Sequence, residues 1–295
     1  MSEKPTFFTK GVRAMFLSTL AFFLANVFVK QVSHIPAMEI VFFRCIVSSA
    51  LCVYGLQRAK ASLIGSTHLM LVLRGIFGTT ALFSFFLTLQ QMPLASAQTI
   101  QYLSPIFTAS IAIFVLKESV MPTQWLFYAI AFSGVLLIER FDNRISPLYL
   151  AVGILSAACS GMAYNLVRSL RGKEHPLTVV LHFQLVGLVV GFVSLFFQWE
   201  TPNGWDWPLL LLVGIFSQLG QIFLTSALQS ERVAGVAIIN YTGLIYAITV
   251  GWFVFGETQS IISLAGMLLV VLGVLLSILY GRRRLAIEQI EATAG

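Results

Sequence analysis

Residues 94–116, "LASAQTIQYLSPIFTASIAIFVL", form an apolar run that contains no charged residue but carries a stripe of polar side chains. About 20 apolar residues are enough for a helix to cross a bilayer. When the run is read as a helix, its polar side chains and a proline fall at i, i+3, i+4 and i+7 on one face: Gln98, Gln101, Tyr102 and Pro105. Polar side chains are costly in lipid, so this face is expected to turn towards the interior of a helix bundle or a watery cavity.

The whole chain shares the apolar character of this run. Of its 295 residues 58% are hydrophobic and only 10% are charged, and its mean hydropathy is +0.88. Soluble chains are usually about 45–50% apolar and about 25% charged, so this chain has too little charge to coat a surface in water. Ten apolar runs, joined by short connections, are candidates to span a lipid bilayer: 12–30, 38–56, 68–90, 94–116, 122–138, 147–167, 177–197, 207–228, 233–255 and 260–280. The predicted fold class is all-α, a polytopic membrane protein with about ten transmembrane helices.

The positive charges are distributed unevenly between the two predicted sides of the membrane. Of the 18 lysines and arginines, 13 lie with the termini and alternate loops, whereas the other side has only Lys30, Arg140 and Arg144. Cytoplasmic loops carry such an excess of positive charge, so both termini are expected to be cytoplasmic. Membrane topology thereby accounts for the net charge of +6, and we predict no nucleic-acid partner.

The chain also repeats itself at an offset of 139 residues. The tetrapeptide GVLL occurs at 134–137 and again at 273–276, and the same offset carries Tyr102 onto Tyr241 without a gap across the third to fifth spans. Single matches between apolar helices arise readily by chance, but a register shared by three consecutive spans does not. Such self-similarity predicts that the chain is built from two copies of one structural unit.

The odd number of spans in each copy determines how the second copy enters the membrane. The repeats are predicted to cover residues 1–143 and 144–295, with five spans in each. After five crossings the second repeat starts from the opposite side, so it is inverted. Accordingly, Lys30 falls on the outer side, whereas its counterpart at an offset of 138, Arg168, falls on the inner side. Inverted repeats are typical of transporters, whose substrate site lies between the repeats near the middle of the bilayer.

Nearly the whole chain resembles the drug/metabolite transporter superfamily, specifically its EamA-type members with two five-helix repeats. The resemblance is clearest in residues 73–118, where an Arg-Gly opens one helix and a Pro-Leu-x-x-Ala link leads to a Leu-x-Pro and a terminal Leu-x-Glu. The second copy, residues 228–257, keeps the terminal Gly256-Glu257 but has Leu244 in place of the proline, so a kink at Pro105 need not be mirrored.

This resemblance implies a carrier of monomer size with a central cavity lined by helices one, three, four, six, eight and nine. It implies a small-molecule solute as the partner, such as an amino acid, an amine, a nucleotide-like metabolite, a vitamin or a drug. It also implies a location in the bacterial inner membrane, often with a role in export.

The polar stripe of the fourth span is the first candidate for a substrate site. We expect Gln98, Gln101 and Tyr102 to line a central passage, and Pro105 to open the helix beside them because it lacks the N–H that would bond to the carbonyl of Gln101. The inverted copy brings two more candidates, Asn240 and Tyr241, to the positions of Gln101 and Tyr102. The alternative is that the amides only join neighbouring helices through hydrogen bonds.

Other spans contribute further candidates. Polar faces occur on the third, sixth and eighth spans, and their members proposed to contact substrate are Thr79, Tyr164, Gln218 and Gln221. Each buried tyrosine hydroxyl needs a hydrogen-bond partner, and a cavity of tyrosines and amides suits a semi-polar organic solute. The alternative for hydroxyl side chains is close packing between helices or a bond back to their own helix.

Few charged or titratable side chains lie within the spans. Arg44 is placed to attract a substrate carboxylate, and His182, its counterpart at an offset of 138, is placed to couple transport to protons. The alternatives are extension of the side chain to a nearby interface, or for Arg44 an ion pair with Glu39 one turn away. We interpret Arg74 in the first of these ways. Because no carboxylate lies near the middle of a span, the sequence favours facilitated diffusion or exchange over obligatory cation coupling.

An enzyme and a channel are the rival functions. The chain contains no G-x-S-x-G or H-E-x-x-H motif, and its four histidines are scattered over separate segments. The three cysteines, Cys45, Cys52 and Cys159, fall inside spans with neither disulfide nor metal spacing. We therefore predict no catalytic residue, no metal and no cofactor. A channel shares the predicted symmetry with a carrier, so saturable flux is the observation that separates the two.

Overall fold

A computed structural model of the chain describes residues 10–115, 122–142, 144–230 and 241–294, and no β-strand occurs in these ranges. Helices make up most of the described chain. They are α1 (Lys10–Gln31), α2 (Ala37–Ala59), α3 (His68–Gln91), α4 (Leu94–Gln101), α5 (Ser104–Val115), α6 (Pro122–Phe141), α7 (Pro147–Ser169), α8 (Pro176–Ser194), α9 (Asp206–Ser230), α10 (Thr242–Phe255) and α11 (Ile261–Ala294).

These helices follow the predicted spans. Seven of the described helices contain a segment long and apolar enough to cross a membrane: α1, α2, α3, α7, α8, α9 and α11. Shorter apolar helices, α6 and α10, correspond to the fifth span and to the described part of the ninth. Large apolar side chains such as Phe114, Phe253 and Ile261 are exposed on the outside of the bundle, where they suit lipid. The predicted fold class, a polytopic helical membrane protein, is confirmed.

The fourth span is broken at the polar stripe. It consists of α4 and α5, separated by Tyr102 and Leu103. The Tyr102 N–H bonds to the carbonyls of Gln98 and Thr99 at 3.2 and 3.1 Å, and the Leu103 N–H bonds to that of Ile100 at 3.0 Å, which tightens the last turn of α4. The predicted opening is confirmed, and Pro105, which follows the break, has no N–H to continue the helical ladder.

The packing of the helices has the pattern of a two-fold relation between the halves. The most extensive contacts pair α1 with α9, α3 with α7, α2 with α8, and α6 with α11. At an offset of 138 or 139, the helices α1, α2, α3 and α6 correspond to α7, α8, α9 and α11. This correspondence converts the contact of α1 with α9 into that of α7 with α3, and it leaves the other two pairs unchanged. The division into repeats near residue 143 stays a prediction, and residue 143 itself lies outside the described ranges.

Helices α6 and α11 pack through glycines. A Cβ atom added at Gly134 would lie 2.6 Å from the carbonyl oxygen of Gly266, and one added at Gly273 would lie 2.6 Å from that of Phe127. These two contacts are counterparts at an offset of 139. The backbones approach too closely for any side chain at either glycine, as in other helix contacts made through small residues.

A carboxylate joins the two halves through the loops that precede α3 and α8. Oε1 of Glu174 accepts hydrogen bonds from the N–H groups of Ser66 and Thr67 at 2.6 and 2.7 Å and from their hydroxyls at 2.9 and 2.8 Å. Partial burial acts to raise the pKa of this carboxyl, but the four hydrogen bonds outweigh it and lower the pKa to about 2. We call this end of the bundle the Glu174 end, and the opposite end, where α1 finishes, the Lys30 end.

The lowered pKa of Glu174 makes a prediction about stability and pH. A folded-state pKa below the ordinary value of 4.5 stabilises the protein above that pH, and the contribution is lost as the pH falls towards 2. We expect Glu174→Gln to melt at a lower temperature than the parent at pH 7 and the difference to narrow between pH 4.5 and pH 2. Thermal unfolding in detergent measures this, and a difference that does not change with pH would contradict it.

Candidate functional site

A cavity of about 130 Å³ lies between the two halves. This space accommodates several water molecules. The walls include phenylalanines from α1, α3 and α8, and the polar and charged side chains that line it are Ser18, Thr19, Asn26, Arg44, Arg74, Gln98, Gln101, Ser160, Tyr164, Ser217 and Gln221. The resemblance implied six lining spans, and the structure adds α2 through Arg44 and α8 through Phe183.

Five of the predicted site residues line this cavity: Arg44, Gln98, Gln101, Tyr164 and Gln221. Both interpretations of the fourth-span amides apply, because these side chains border the cavity and also join helices. Oε1 of Gln98 accepts a hydrogen bond from the amide of Asn26 at 3.1 Å. A contact of these residues with substrate stays a prediction.

Gln101 connects the first half to α7 in the second. Its Nε2 donates to Oγ of Ser160 at 2.8 Å, and its Oε1 accepts from the hydroxyl of Ser156 at 3.0 Å. The same Ser156 hydroxyl lies 2.7 Å from the carbonyl of Ala81. The amide is therefore held in a fixed orientation at the cavity wall.

Tyr102 and Tyr241 are not among the residues that line the cavity. Their rings pack edge to face on each other, with centroids 4.8 Å apart, at the contact of α4 with α10. Both side chains are buried. Because they are counterparts at an offset of 139, their contact lies where a two-fold axis between the halves would pass. Their partner Asn240 lies outside the described residues.

Three other predicted residues lie away from the cavity. Nε2 of Gln218 donates to Sγ of Cys52 at 2.8 Å, behind the cavity wall. Thr79 is buried close to Gly187 at the contact of α3 with α8. Nδ1 of His182 lies 3.0 Å from the carbonyl of Thr178 on its own helix. None of these three residues is among those that line the cavity. The close packing of Thr79 agrees with the alternative given for hydroxyl side chains, and a role of the three residues in substrate binding or proton coupling stays a prediction.

Two buried arginines occupy the same region of the cavity. Arg44 is 1% exposed and Arg74 is 3% exposed. Both face the ring of Phe183, with Cζ atoms 5.3 Å and 4.5 Å from its centroid. Extension of Arg74 to an interface was therefore the wrong interpretation, because this side chain points inwards, and sequence reasoning missed both Arg74 and Phe183. The available signal was that Arg44 and Arg74 are the two cations inside spans.

The predicted ion pair between Arg44 and Glu39 is not formed. The carboxylate of Glu39 instead accepts the N–H of Glu200 at 3.0 Å. Nη1 of Arg44 donates to Oε1 of Gln184 at 3.4 Å, and Nε2 of Gln184 lies 3.4 Å from Oε1 of Gln218. Gln218 is thus connected to Arg44 through Gln184, on the side of Arg44 that faces away from the cavity.

Much of the hydrogen-bonding capacity at this site is unused. Nε and Nη2 of Arg44 and Nε and Nη1 of Arg74 are buried without a hydrogen-bond partner among the described residues, as is Oε1 of Gln221. Buried polar atoms in proteins are nearly always paired. Within the described ranges, neither arginine is ion-paired with a carboxylate. The described part of the chain also has no group of three His, Cys, Asp or Glu side chains that could hold a metal ion.

Comparisons with known proteins agree with the fold. The model of the EamA-like transporter family matches residues 9–140 and 147–279. The pseudopaline exporter CntI of Pseudomonas aeruginosa (strain UCBPP-PA14) is 30% identical over 264 residues, which cover 88% of this chain and 93% of the exporter. Human solute carrier family 35 member G1 is 29% identical over 281 residues, which cover 88% of this chain and 76% of the carrier.

A solved crystal structure supports the fold alone. It superposes with a TM-score of 0.68 at 15% sequence identity, and the match covers 92% of this chain and 98% of the other. The family match spans nearly all of the chain in two consecutive segments, and each segment contains five of the predicted spans. The chain therefore belongs to the EamA-like transporter family.

Proposed function

We propose that the chain is a secondary transporter that moves a small organic metabolite across the inner membrane by alternating access, with both termini in the cytoplasm. Family membership makes it a membrane transporter of small solutes. The proposal adds the mechanism, the orientation and the site. The orientation rests on the excess of lysine and arginine on one predicted side.

The observation that supports the mechanism is a contact between the halves at one end of the bundle. Nζ of Lys30, at the end of α1, lies 2.6 Å from Oε1 of Glu257, which follows α10. The same ammonium donates to the carbonyl of Met92 at 2.6 Å, and Oε2 of Glu257 accepts the N–H of Leu94 at 2.8 Å. In alternating access this contact breaks when the cavity opens at the Lys30 end.

The repeat supplies a matching pair for the other end. Arg168 is the counterpart of Lys30 at an offset of 138, and Glu118 is the counterpart of Glu257 at an offset of 139. Two such pairs at opposite ends can form in turn, so that the cavity opens to one side at a time. Glu118 lies outside the described residues, and its pairing with Arg168 is part of the proposal.

Flux measurements on the purified protein in liposomes test this function. We expect saturable uptake of at least one solute from a labelled panel of amino acids, amines and nucleotides. Gln101→Leu is expected to lower kcat/KM by about tenfold or more, because it removes the part-buried polar contacts of the amide with Ser160 and Ser156 at the cavity wall. Gln57→Leu, at an exposed position of α2, is the control and is expected to transport normally.

Two results would contradict the proposal. An ohmic, unsaturable current across a bilayer would indicate a channel. Turnover of a lipid or peptide without solute flux would indicate a membrane enzyme.

A further inference from the structure

We propose that Arg44 and Arg74 together bind an oxyanion, a carboxylate or phosphate group, of the transported solute. This inference rests on the proposed transport function and adds to it a class of substrate. It depends on the arrangement of the two arginines around Phe183, on their burial, and on the absence of a counter-charge among the described residues.

The geometry brings two positive charges to one wall of the cavity. Arg44 comes from α2 and Arg74 from α3, and both guanidinium groups lie near the ring of Phe183 from α8. All three side chains line the cavity. A cation near an aromatic ring is attracted to it, but one ring shared by two cations cannot replace two counter-ions.

The energetics of burial favour an anionic partner. Arginine stays protonated in proteins, and a buried charge without a partner is costly. Nε and Nη2 of Arg44 and Nε and Nη1 of Arg74 have no hydrogen-bond partner among the described residues. Of the carboxylates that the structure describes, Glu39 bonds to the Glu200 N–H, and the ion pairs present are formed by other cations.

The chemistry of the guanidinium group defines what completes the site. Its planar fork of N–H donors matches the two oxygens of a carboxylate or phosphate, and such charge-assisted bonds are among the strongest in proteins. Phe85 and Phe86 offer apolar wall to the remainder of the solute, and the unpaired Oε1 of Gln221 can accept one N–H from it. An organic anion is the solute that satisfies these groups.

A purely structural role for the arginines makes a different prediction about the empty protein. If they hold the helices together, replacing either one lowers the melting temperature. If they bind substrate, they carry uncompensated charge when the cavity is empty. Arg44→Gln and Arg74→Gln are then expected to melt at the same temperature as the parent or higher, since functional sites are commonly built at the expense of stability.

Ligand-induced thermal stabilisation of the detergent-solubilised protein tests the inference. The probes are matched pairs that differ in the oxyanion: L-phenylalanine and phenethylamine, AMP and adenosine, glutarate and 1,5-pentanediol. We expect at least one anionic compound to raise the melting temperature, and the matched compound without the oxyanion to have no effect. Arg44→Gln and Arg74→Gln are expected to raise the Kd of that anion by about tenfold or more.

Two further variants complete the design. Arg74→Lys keeps the positive charge but loses the planar fork of N–H donors. Its Kd for the anion is expected to lie between those of the parent and Arg74→Gln. Arg58→Gln removes an exposed arginine outside the cavity, and it is expected to bind the anion as the parent does.

Any of three results would overturn the inference: no anion stabilises the protein, the matched compounds without the oxyanion stabilise it equally, or both glutamine variants melt well below the parent. Transport separates this inference from the function on which it rests. Saturable flux of a cation or neutral solute that survives both substitutions would overturn the oxyanion site alone. The absence of any saturable flux would overturn the proposed function.

Discussion

Reversing the charge of either Lys30 or Glu257 is expected to reduce transport by at least about tenfold, and reversing both is expected to restore much of it. The two side chains are 13% and 10% exposed, and their charged atoms are 2.6 Å apart. Removing one partner of such a pair leaves the other charge buried, which costs about 3–5 kcal/mol when burial is complete and less here. Lys30→Glu and Glu257→Lys therefore favour separation of the halves at the Lys30 end.

The double variant Lys30→Glu with Glu257→Lys separates this pairing from other effects of each side chain, and flux into liposomes measures it. Recovery is expected to be partial, because the exchanged side chains cannot also reproduce the bonds to Met92 and Leu94. A control pair lies at the same end: His34 and Asp206 are 3.1 Å apart, but His34 is 54% exposed. His34→Ala is expected to change flux little. Additive losses in the double variant would show that the two charges do not act as a pair.

Adding one methyl group at Gly134 or at Gly273 is expected to destabilise the protein. In either case the new Cβ would lie 2.6 Å from a backbone carbonyl oxygen of the facing helix, which cannot rotate away. Overpacking of this kind costs about 1–3 kcal/mol. The direction of the change in stability is informative. Alanine is favoured over glycine by about 1 kcal/mol inside a helix when nothing else changes, so without the close contact the substitution would stabilise the protein.

The melting temperatures of Gly134→Ala and Gly273→Ala in detergent measure this effect. Ser133→Ala, an exposed neighbour on α6, is the control and is expected to melt close to the parent. The two glycine variants are expected to be affected alike, since they are counterparts at an offset of 139. A variant that melts at or above the parent would show that α6 and α11 are free to separate.

The sequence predicted the helical fold well because lipid imposes a strong constraint. A span must be apolar along its length and must satisfy its own backbone, so apolar runs translate directly into helices. The break at Tyr102 and Leu103 was predictable for a similar local reason, since Pro105 removes a backbone donor. The second copy has Leu244 at the position of Pro105, and its helix α10 begins at Thr242, directly after Tyr241.

The candidate site was harder to predict. A polar stripe shows which side of a helix faces the bundle, but it does not show which residues of other helices contact that side. Gln218 and Gln221 share one stripe of α9, yet Gln221 borders the cavity whereas Gln218 bonds to Cys52 behind it. The depth of Arg74 within its span suggested an escape to the interface, but the ring of Phe183, distant in sequence, holds it inside. Contacts between helices decided each case, and a single sequence does not contain them.

The pair Tyr102 and Tyr241 illustrates a signal that was present and not used. Residues related by the repeat offset meet each other if they lie on the axis between the copies. The sequence predicted that both rings line the passage, whereas in the structure they pack against each other. The 139-residue offset contained the information, but which equivalent pair lies on the axis depends on how the halves pack.

Access of a thiol reagent to the cavity from each side of the membrane tests alternating access most directly. Ser217→Cys places a thiol at the cavity wall with little change in volume, in a protein whose native cysteines are replaced. Lys30→Cys and Glu257→Cys, joined by a short bifunctional reagent before labelling, lock the Lys30 end. When Lys30 and Glu257 are intact, we predict that an impermeant reagent reaches position 217 from either side. When the two introduced cysteines are cross-linked, we predict that it reaches position 217 only from the Glu174 end. Labelling from both sides of the locked protein, or from one side of the unlocked protein, would contradict the account.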